Sequence, residues 1–370
     1  DWLKPYTCFS ALKRFHKGAP WWLWPPNQRC LKDALSSGVF DDKAVKADVE
    51  FFSWAQFVCF SQFAQLKDYA QKNGVRLIGD IPIFVAHDSA DTWGRPELFQ
   101  MNAAYELTAQ AGVPPDYFSP LGQLWGNPLY DWPAHKKEKY RWWIARFKAA
   151  FGLYDRVRLD HFRGFEAYWK VPADAKDARK GVWEKGPGLE FFKAIKDALP
   201  QADIIAEDLG VITPELRELL ARTGLPGMAV LQFAFGSDAG NLYLPHNLVR
   251  NSVVYTGTHD NDTSKGWYAS TDEKTRDYFR RYLRSAGDSP NWDLIHAAYK
   301  SVSACAVVPL QDFLNLGSEA RFNTPGQSAG NWQWRFSQAQ FDELHTYIAP
   351  LLKDLAEQSG RVAARDGQKE

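Results

Sequence analysis

The chain has 370 residues, with 44 basic and 44 acidic side chains and a formal net charge of zero. That balance gives no electrostatic footprint for a nucleic-acid backbone, and no apolar run approaches the about 18–20 residues that span a bilayer, so both partners are read as absent. Cys8, Cys30, Cys59 and Cys305 are scattered without zinc-ligand spacing, which suits a reducing compartment: the cytoplasm, or a plastid if the chain is from a plant or alga.

Residues 1–50 carry Pro, Trp and helical patterns without a convincing pair of buried strands. Phe52, Ala55, Cys59, Phe63, Leu66 and Ala70 follow a 3–4 spacing that predicts a buried helical stripe, closed by Asn73-Gly74. Phe51, Trp54, Phe57 and Phe60 on the same helix are likewise expected mostly in a core. A short apolar strand follows, Val75 to Gly79, ending in Asp80. The pattern then repeats. A helix at about 137–153 leads into Arg156-Val157-Arg158-Leu159-Asp160, and one at about 189–199 into Ile204-Ile205-Ala206-Glu207. A helix at about 214–222 leads into Met228–Phe235, followed by Val253 to Thr256 and Gly257-Thr258-His259-Asp260. Helices at about 272–285 and 294–303 precede Ala306 to Asp312.

Alternating helix and short apolar strand means an α/β fold with a parallel sheet, and acids at strand ends point to a (β/α)8 TIM barrel with an active top face. The strands end near residues 80, 160, 207, 235, 260 and 312, six where a closed barrel takes eight. The first two are therefore expected upstream of Asp1. The whole chain, 1–370, reads as a single catalytic barrel domain with helical or loop insertions at about 1–70 and 86–135.

Side chains alternate along a strand, so Arg158 and Asp160 share a side and point into the barrel mouth. A fixed Arg beside Asp160 keeps it ionised, as a carboxylate nucleophile requires. Glu207 ends the next strand among apolar neighbours that raise a carboxyl's pKa, as a general acid requires. Asp260, beside His259, is a third acid on a later strand. One carboxylate charged and one protonated is the equipment for cleaving a glycosidic bond. Structural ion pairs lining a polar barrel mouth are the competing reading for any single acid. Three acids at three strand ends, with Arg and His beside them, favour catalysis.

The segments Val157-Arg158-Leu159-Asp160-His161-Phe162-Arg163-Gly164-Phe165-Glu166, Ala206-Glu207-Asp208-Leu209-Gly210-Val211-Ile212-Thr213-Pro214 and Thr256-Gly257-Thr258-His259-Asp260-Asn261-Asp262-Thr263 closely resemble the 4-alpha-glucanotransferases, or amylomaltases, glycoside hydrolase family 77 of the alpha-amylase superfamily. The stretch Gly112 to Ser119 resembles that family's active-site lid loop, and Gly122 to Tyr130 and Gly330 to Arg335 also match. The resemblance runs from about Tyr6 to Arg335.

It implies a retaining double displacement on alpha-1,4-glucans, without metal or organic cofactor. Asp160 is then the nucleophile, Glu207 the acid and base, and Asp260 the stabiliser of the transition state through the ring's 2- and 3-hydroxyls. Arg158 orients Asp160, His259 hydrogen-bonds the sugar, and Asp80 supports the site. Asp116, Tyr117, Gln123, Trp125, Asn127 and Asn331 are the further substrate-binding candidates. Retention of alpha stereochemistry implies main carboxyls ~5–5.5 Å apart. The implied partners are maltooligosaccharides, starch- or glycogen-derived glucans, and glucose as acceptor. The superfamily usually has Asn before its His, whereas this chain has Thr258, as the family does.

Transfer and hydrolysis share one intermediate, and a lid with aromatic acceptor platforms excludes water. Tyr117, Phe118 and Trp125 are candidates, although core packing remains open for each. The 16 Trp, 15 Tyr and 24 Phe residues fit sugar stacking or an aromatic core equally on composition. Trp21-Trp22-Leu23-Trp24-Pro25-Pro26 reads better as a buried wedge than as a sugar platform. Gly326-Gln327-Ser328-Ala329-Gly330 matches a serine-hydrolase pattern but lacks the strand-to-helix context. His259-Asp260-Asn261-Asp262 invites a metal, yet no further His stands at a strand end except His161, which should face away. Two other readings stay open: an alpha-glucan hydrolase, and a fragment that binds glucan but is catalytically impaired.

Overall fold

The computed structural model describes residues 2–115, 119–327 and 329–362. Its strands in chain order are β1 (Ile78–Ile81), β2 (Ala109–Val113), β3 (Gln123–Pro128), β4 (Arg156–Leu159), β5 (Ala167–Pro172), β6 (Val182–Lys185), β7 (Ile204–Ala206), β8 (Gly227–Val230), β9 (Ser252–Tyr255) and β10 (Cys305–Val307). The chain divides into two units, Asp1–Leu225 and Pro226–Glu370.

In the first unit, β1, β4 and β7 form a parallel sheet in the order β1-β4-β7. Its register pairs Asp80 with Arg158 and Arg158 with Ile205. Val157 and Leu159 are fully buried among the aromatic residues Trp143, Phe147, Phe165 and Phe191, so the alternate positions, Arg158 and Asp160, project to the other side. Helix Arg141–Leu153 and helix Gly188–Ala198 supply much of this core. The first of these starts four residues later than the sequence suggests, because Lys139 and Tyr140 adopt positive φ and end the preceding short helix. Gly79 lies so close to Tyr154 that a Cβ would sit 2.0 Å from the ring, which fixes glycine beside Asp80.

A second sheet in this unit, β3-β2-β5-β6, is antiparallel. Residues 86–135, read as helix and loop, thus also contribute two strands. A second aromatic core encloses Trp21, Trp24 and Trp93 with Phe9 and Leu12. Trp22 lies parallel on His87 with ring centres 3.9 Å apart. Much of the aromatic surplus is therefore packing.

The expected buried stripe on helix Lys43–Lys72 needs correction. Only Val45 and Ala70 are buried, Cys59 and Leu66 are exposed, and so are Phe51, Trp54 and Phe57. The helix leans on helix Leu3–Phe15 along one part and on Arg141–Leu153 near its end. Lys67 donates to the carbonyls of Phe151 and Tyr154 there. Among the described residues, these two supports do not cover the rest of the apolar face.

The second unit holds the parallel sheet β10-β9-β8. Every residue of β8 and β9 is buried, as uninterrupted apolar runs in parallel sheets require. Phe235, Phe279, Leu294 and Ala298 form its core with helices Glu273–Leu283 and Pro290–Lys300. Two strands are shorter than expected. After Val230 the chain turns into a 3-10 helix, and after Val307 it enters the short helix Leu310–Phe313, so Asp312 sits on a helical turn and not at a strand end. Pro309 explains the second case, since it opens the helix with a fixed φ. The α/β class read from the sequence is the class observed. No helix among the described residues is long and apolar enough to cross a membrane.

Candidate active site

In the first unit, Asp80, Arg158, Asp160 and Glu207 converge at the carboxyl ends of β1, β4 and β7. The Arg158 guanidinium divides its terminal nitrogens, Nη1 lying 2.7 Å from Asp80 Oδ2 and Nη2 3.1 Å from Asp160 Oδ1. A fork of this kind fixes the direction of both carboxylates. Arg158 is buried, and burial alone would push its guanidinium down. The charges of Asp80, Asp160 and Glu207 outweigh that and raise it, so it stays a cation at any working pH.

Asp160 and Glu207 are the next residues after the paired Leu159 and Ala206. Their surroundings differ. The Asp160 side chain is 37% exposed, whereas Glu207 is 8% exposed. Burial raises the Glu207 pKa, and the nearby Asp160 charge raises it further. Arg158 and two main-chain N–H groups oppose the rise without cancelling it. Those donors are His161 N–H to Oε2 at 2.7 Å and Leu209 N–H to Oε1 at 3.0 Å. Together they leave one carboxyl oriented and inclined to hold its proton, beside one fixed on a cation.

His161 lies edge-on to Trp125, with ring centres 5.0 Å apart. Trp125 also meets Phe84 and donates through Nε1 to Gln123 Oε1 at 3.2 Å. Gln123 and Trp125 are thus linked, and Trp125 adjoins the residue that follows Asp160. Asn127 uses its amide on the Val85 carbonyl, at 2.8 Å, which braces a loop. Asp116, Tyr117 and Phe118 lie outside the described residues, as does Ser328 of the serine-hydrolase pattern.

In the second unit, His259 Nε2 lies 3.3 Å from Asp260 Oδ2. Asn323 Nδ2 donates to Asp260 Oδ1 at 2.6 Å, and Arg321 Nη2 donates to the Asp260 carbonyl at 2.7 Å. Trp332, half exposed and with φ of 62°, faces His259 with ring centres 5.2 Å apart. Asn331 closes the loop around it by accepting from Thr324 N–H at 2.9 Å and donating to the Gln327 carbonyl at 2.9 Å. Its amide is therefore spent on the backbone. Arg321 and Asn323 escaped the sequence reading. They stand in an irregular stretch with no periodic signal, and only folding reveals which loop they hold.

A family model described as 4-alpha-glucanotransferase, glycoside hydrolase family 77, matches residues 1–340. The chain is 46% identical over 365 residues to a 4-alpha-glucanotransferase of Synechocystis sp., covering 98% of this chain and 71% of the relative. It is 44% identical over 374 residues to one of Thermus thermophilus, covering 98% and 73%. Among solved structures, an amylomaltase from Streptococcus agalactiae in complex with acarbose superposes with a TM-score of 0.91 at 34% identity, over 98% of this chain and 73% of that one.

Proposed function

This chain belongs to glycoside hydrolase family 77, the 4-alpha-glucanotransferases, and on that footing we propose how its residues divide the work of the reaction. Its activity is the transfer of alpha-1,4-glucan segments from a donor to an acceptor. The observation that carries the assignment of roles is the contrast between two neighbouring carboxyls. Asp160 is half-buried and paired with Arg158, and Glu207 is buried with its pKa raised.

Asp160 attacks the anomeric carbon of the donor, and the glycosidic C–O bond breaks as the ester bond forms. Glu207 gives its proton to the departing 4-oxygen, leaving a glycosyl-enzyme and an ionised Glu207. The acceptor's 4-hydroxyl then enters. Glu207 takes its proton, the oxygen attacks the anomeric carbon, and Asp160 is released. Two inversions restore the alpha configuration. Arg158 holds Asp160 in line, with Asp80 as its second anchor. Asp260 takes the ring's 2- and 3-hydroxyls and His259 bonds beside it. Trp125 and Gln123 offer a stacking face and an amide to a sugar. Asp116, Tyr117, Asn127 and Asn331 complete the proposed set, the last two by shaping loops.

Donors are maltooligosaccharides and starch- or glycogen-derived glucans, and glucose serves as an acceptor. A cytoplasmic location, or a plastid in a plant or alga, belongs to the same proposal and rests on four free cysteines. The test is incubation with maltotriose and separation of the products. Glucose together with a ladder of longer maltooligosaccharides is expected. Glucose and maltose alone would mean that water is the acceptor, and the transfer reading would fall.

A further inference from the structure

Residues 257–263 join the end of β9 to the helix Ser264–Ser270, and they carry both His259 and Asp260. One side chain grips both ends of this loop. Thr256 Oγ1 donates to Asp312 Oδ2 at 2.7 Å, Ser264 Oγ donates to the same oxygen at 2.6 Å, and Ser264 N–H donates to Asp312 Oδ1 at 2.7 Å. Thr256 and Ser264 are wholly buried, and Asp312 is 1% exposed, so water does not compete for these bonds. The acid's own backbone is held too, because buried Asn291 donates through Nδ2 to the Asp312 carbonyl at 2.9 Å.

Beyond Asp312, the same stretch of chain reaches the middle of the loop. Ser318 Oγ donates to Asp262 Oδ2 at 2.6 Å, Asn323 N–H donates to the His259 carbonyl at 3.1 Å, and Arg321 and Asn323 hold Asp260 as described. Asp312 is where this clamp is fastened to the sheet. A buried carboxylate held by three neutral donors is an expensive way to join two segments. What it offers is acceptance on both oxygens without presenting a donor. An amide in its place would point an N–H₂ group at the two hydroxyls or at the Ser264 N–H.

We propose that Asp312 is a positioning residue for the transfer reaction: by tying Thr256 to Ser264 it sets the span of the 257–263 loop and thereby the direction in which Asp260 presents its carboxylate. The inference rests on the role given to Asp260 above. Asp312 touches no substrate, and its effect passes through Asp260.

The experiment compares Asp312→Asn, Thr256→Val, Asp260→Asn and the Asp312→Asn/Asp260→Asn pair, with kcat and KM measured on maltotriose and folding checked by circular dichroism. Asp312→Asn is expected to lower kcat on the order of tenfold to a hundredfold while KM changes much less, since a misaimed group costs rate before binding. Thr256→Val, which deletes one donor and keeps the shape, should move kcat the same way by a smaller factor, and it carries the test if Asp312→Asn does not fold. Adding Asp312→Asn to Asp260→Asn should lower kcat by no more than about threefold further, because the two act as one unit. Parental kcat in folded Asp312→Asn or Thr256→Val, or full additivity in the pair, overturns the proposal while Asp260→Asn remains crippled. Parental kcat in Asp260→Asn overturns the role of Asp260 itself, and this inference with it.

Discussion

The main-chain N–H of His161 donates to Glu207 Oε2 at 2.7 Å from a residue whose φ is 50°. Left-handed backbone at a non-glycine residue is uncommon and costs energy. Here it turns the chain directly after Asp160, so that the residue following the nucleophile candidate orients the acid candidate. The two carboxyls are thus coupled through one peptide unit as well as through their charges.

The coupling makes the pH behaviour testable. Burial and the Asp160 charge raise the Glu207 pKa, so the proton needed for leaving-group departure persists above the ordinary glutamate range. The alkaline fall of kcat/KM should follow this raised value. Stability should follow it as well. Between the ordinary and raised values the folded chain holds a proton that the unfolded chain has lost, so unfolding free energy declines as pH rises across that window. Urea titrations over that range should show the decline in the parent and a shallower slope in Glu207→Gln. Carbon-13 NMR of the Glu207 carboxyl should report a lower pKa in Asp160→Asn, which removes a charge that raises it. An unchanged or higher value there contradicts the assignment.

Glu207→Gln separates proton donation from the rest of the chemistry. With maltotriose, transfer should drop by about 10²-fold or more. With alpha-maltosyl fluoride, whose leaving group needs no proton, the first step should survive: a burst of about one fluoride per enzyme should appear near the parental first-turnover rate, and the following turnover stays slow because Glu207 is also the base of the second step. A fluoride burst slowed as much as maltotriose cleavage would assign the proton to another group.

Gly79→Ala tests how β1 is seated. The new Cβ would overlap the Tyr154 ring, and overpacking of this kind costs about 1–3 kcal/mol. The midpoint in urea should fall with the slope unchanged, and Gly79→Ala/Tyr154→Leu should recover part of the loss. No change in the single variant would show that the Tyr154 ring does not close off the Gly79 position.

The parallel strands were legible because short apolar runs ending in Asp80, Asp160 and Glu207 alternate with amphipathic helices, and period-2 alternation alone puts Arg158 and Asp160 on one side. The antiparallel sheet was not. Ala109-Gln110-Ala111-Gly112-Val113 and Gln123-Leu124-Trp125-Gly126-Asn127-Pro128 are interrupted by Gly and Pro, which argue against strands. Periodicity on helix Lys43–Lys72 revealed an apolar face but not what lies against it. Asp312 read as a strand-end acid like the others, and only its place on a helical turn, with three donors converging, separates it from them. Asn127 and Asn331 stood in motifs that resemble the family's, yet their amides are spent on backbone carbonyls and N–H groups, a distinction that side-chain geometry alone makes visible.

In the proposed mechanism everything turns on Asp160 forming a covalent bond to the sugar. The most direct measurement is mass spectrometry of Glu207→Gln after brief reaction with alpha-maltosyl fluoride, followed by peptide mapping at acid pH. An added maltosyl mass is expected on the peptide containing Asp160, lost on incubation with azide or another small nucleophile that needs no base, and no such mass in Asp160→Asn/Glu207→Gln. Fluoride release with the label on any other residue would contradict it.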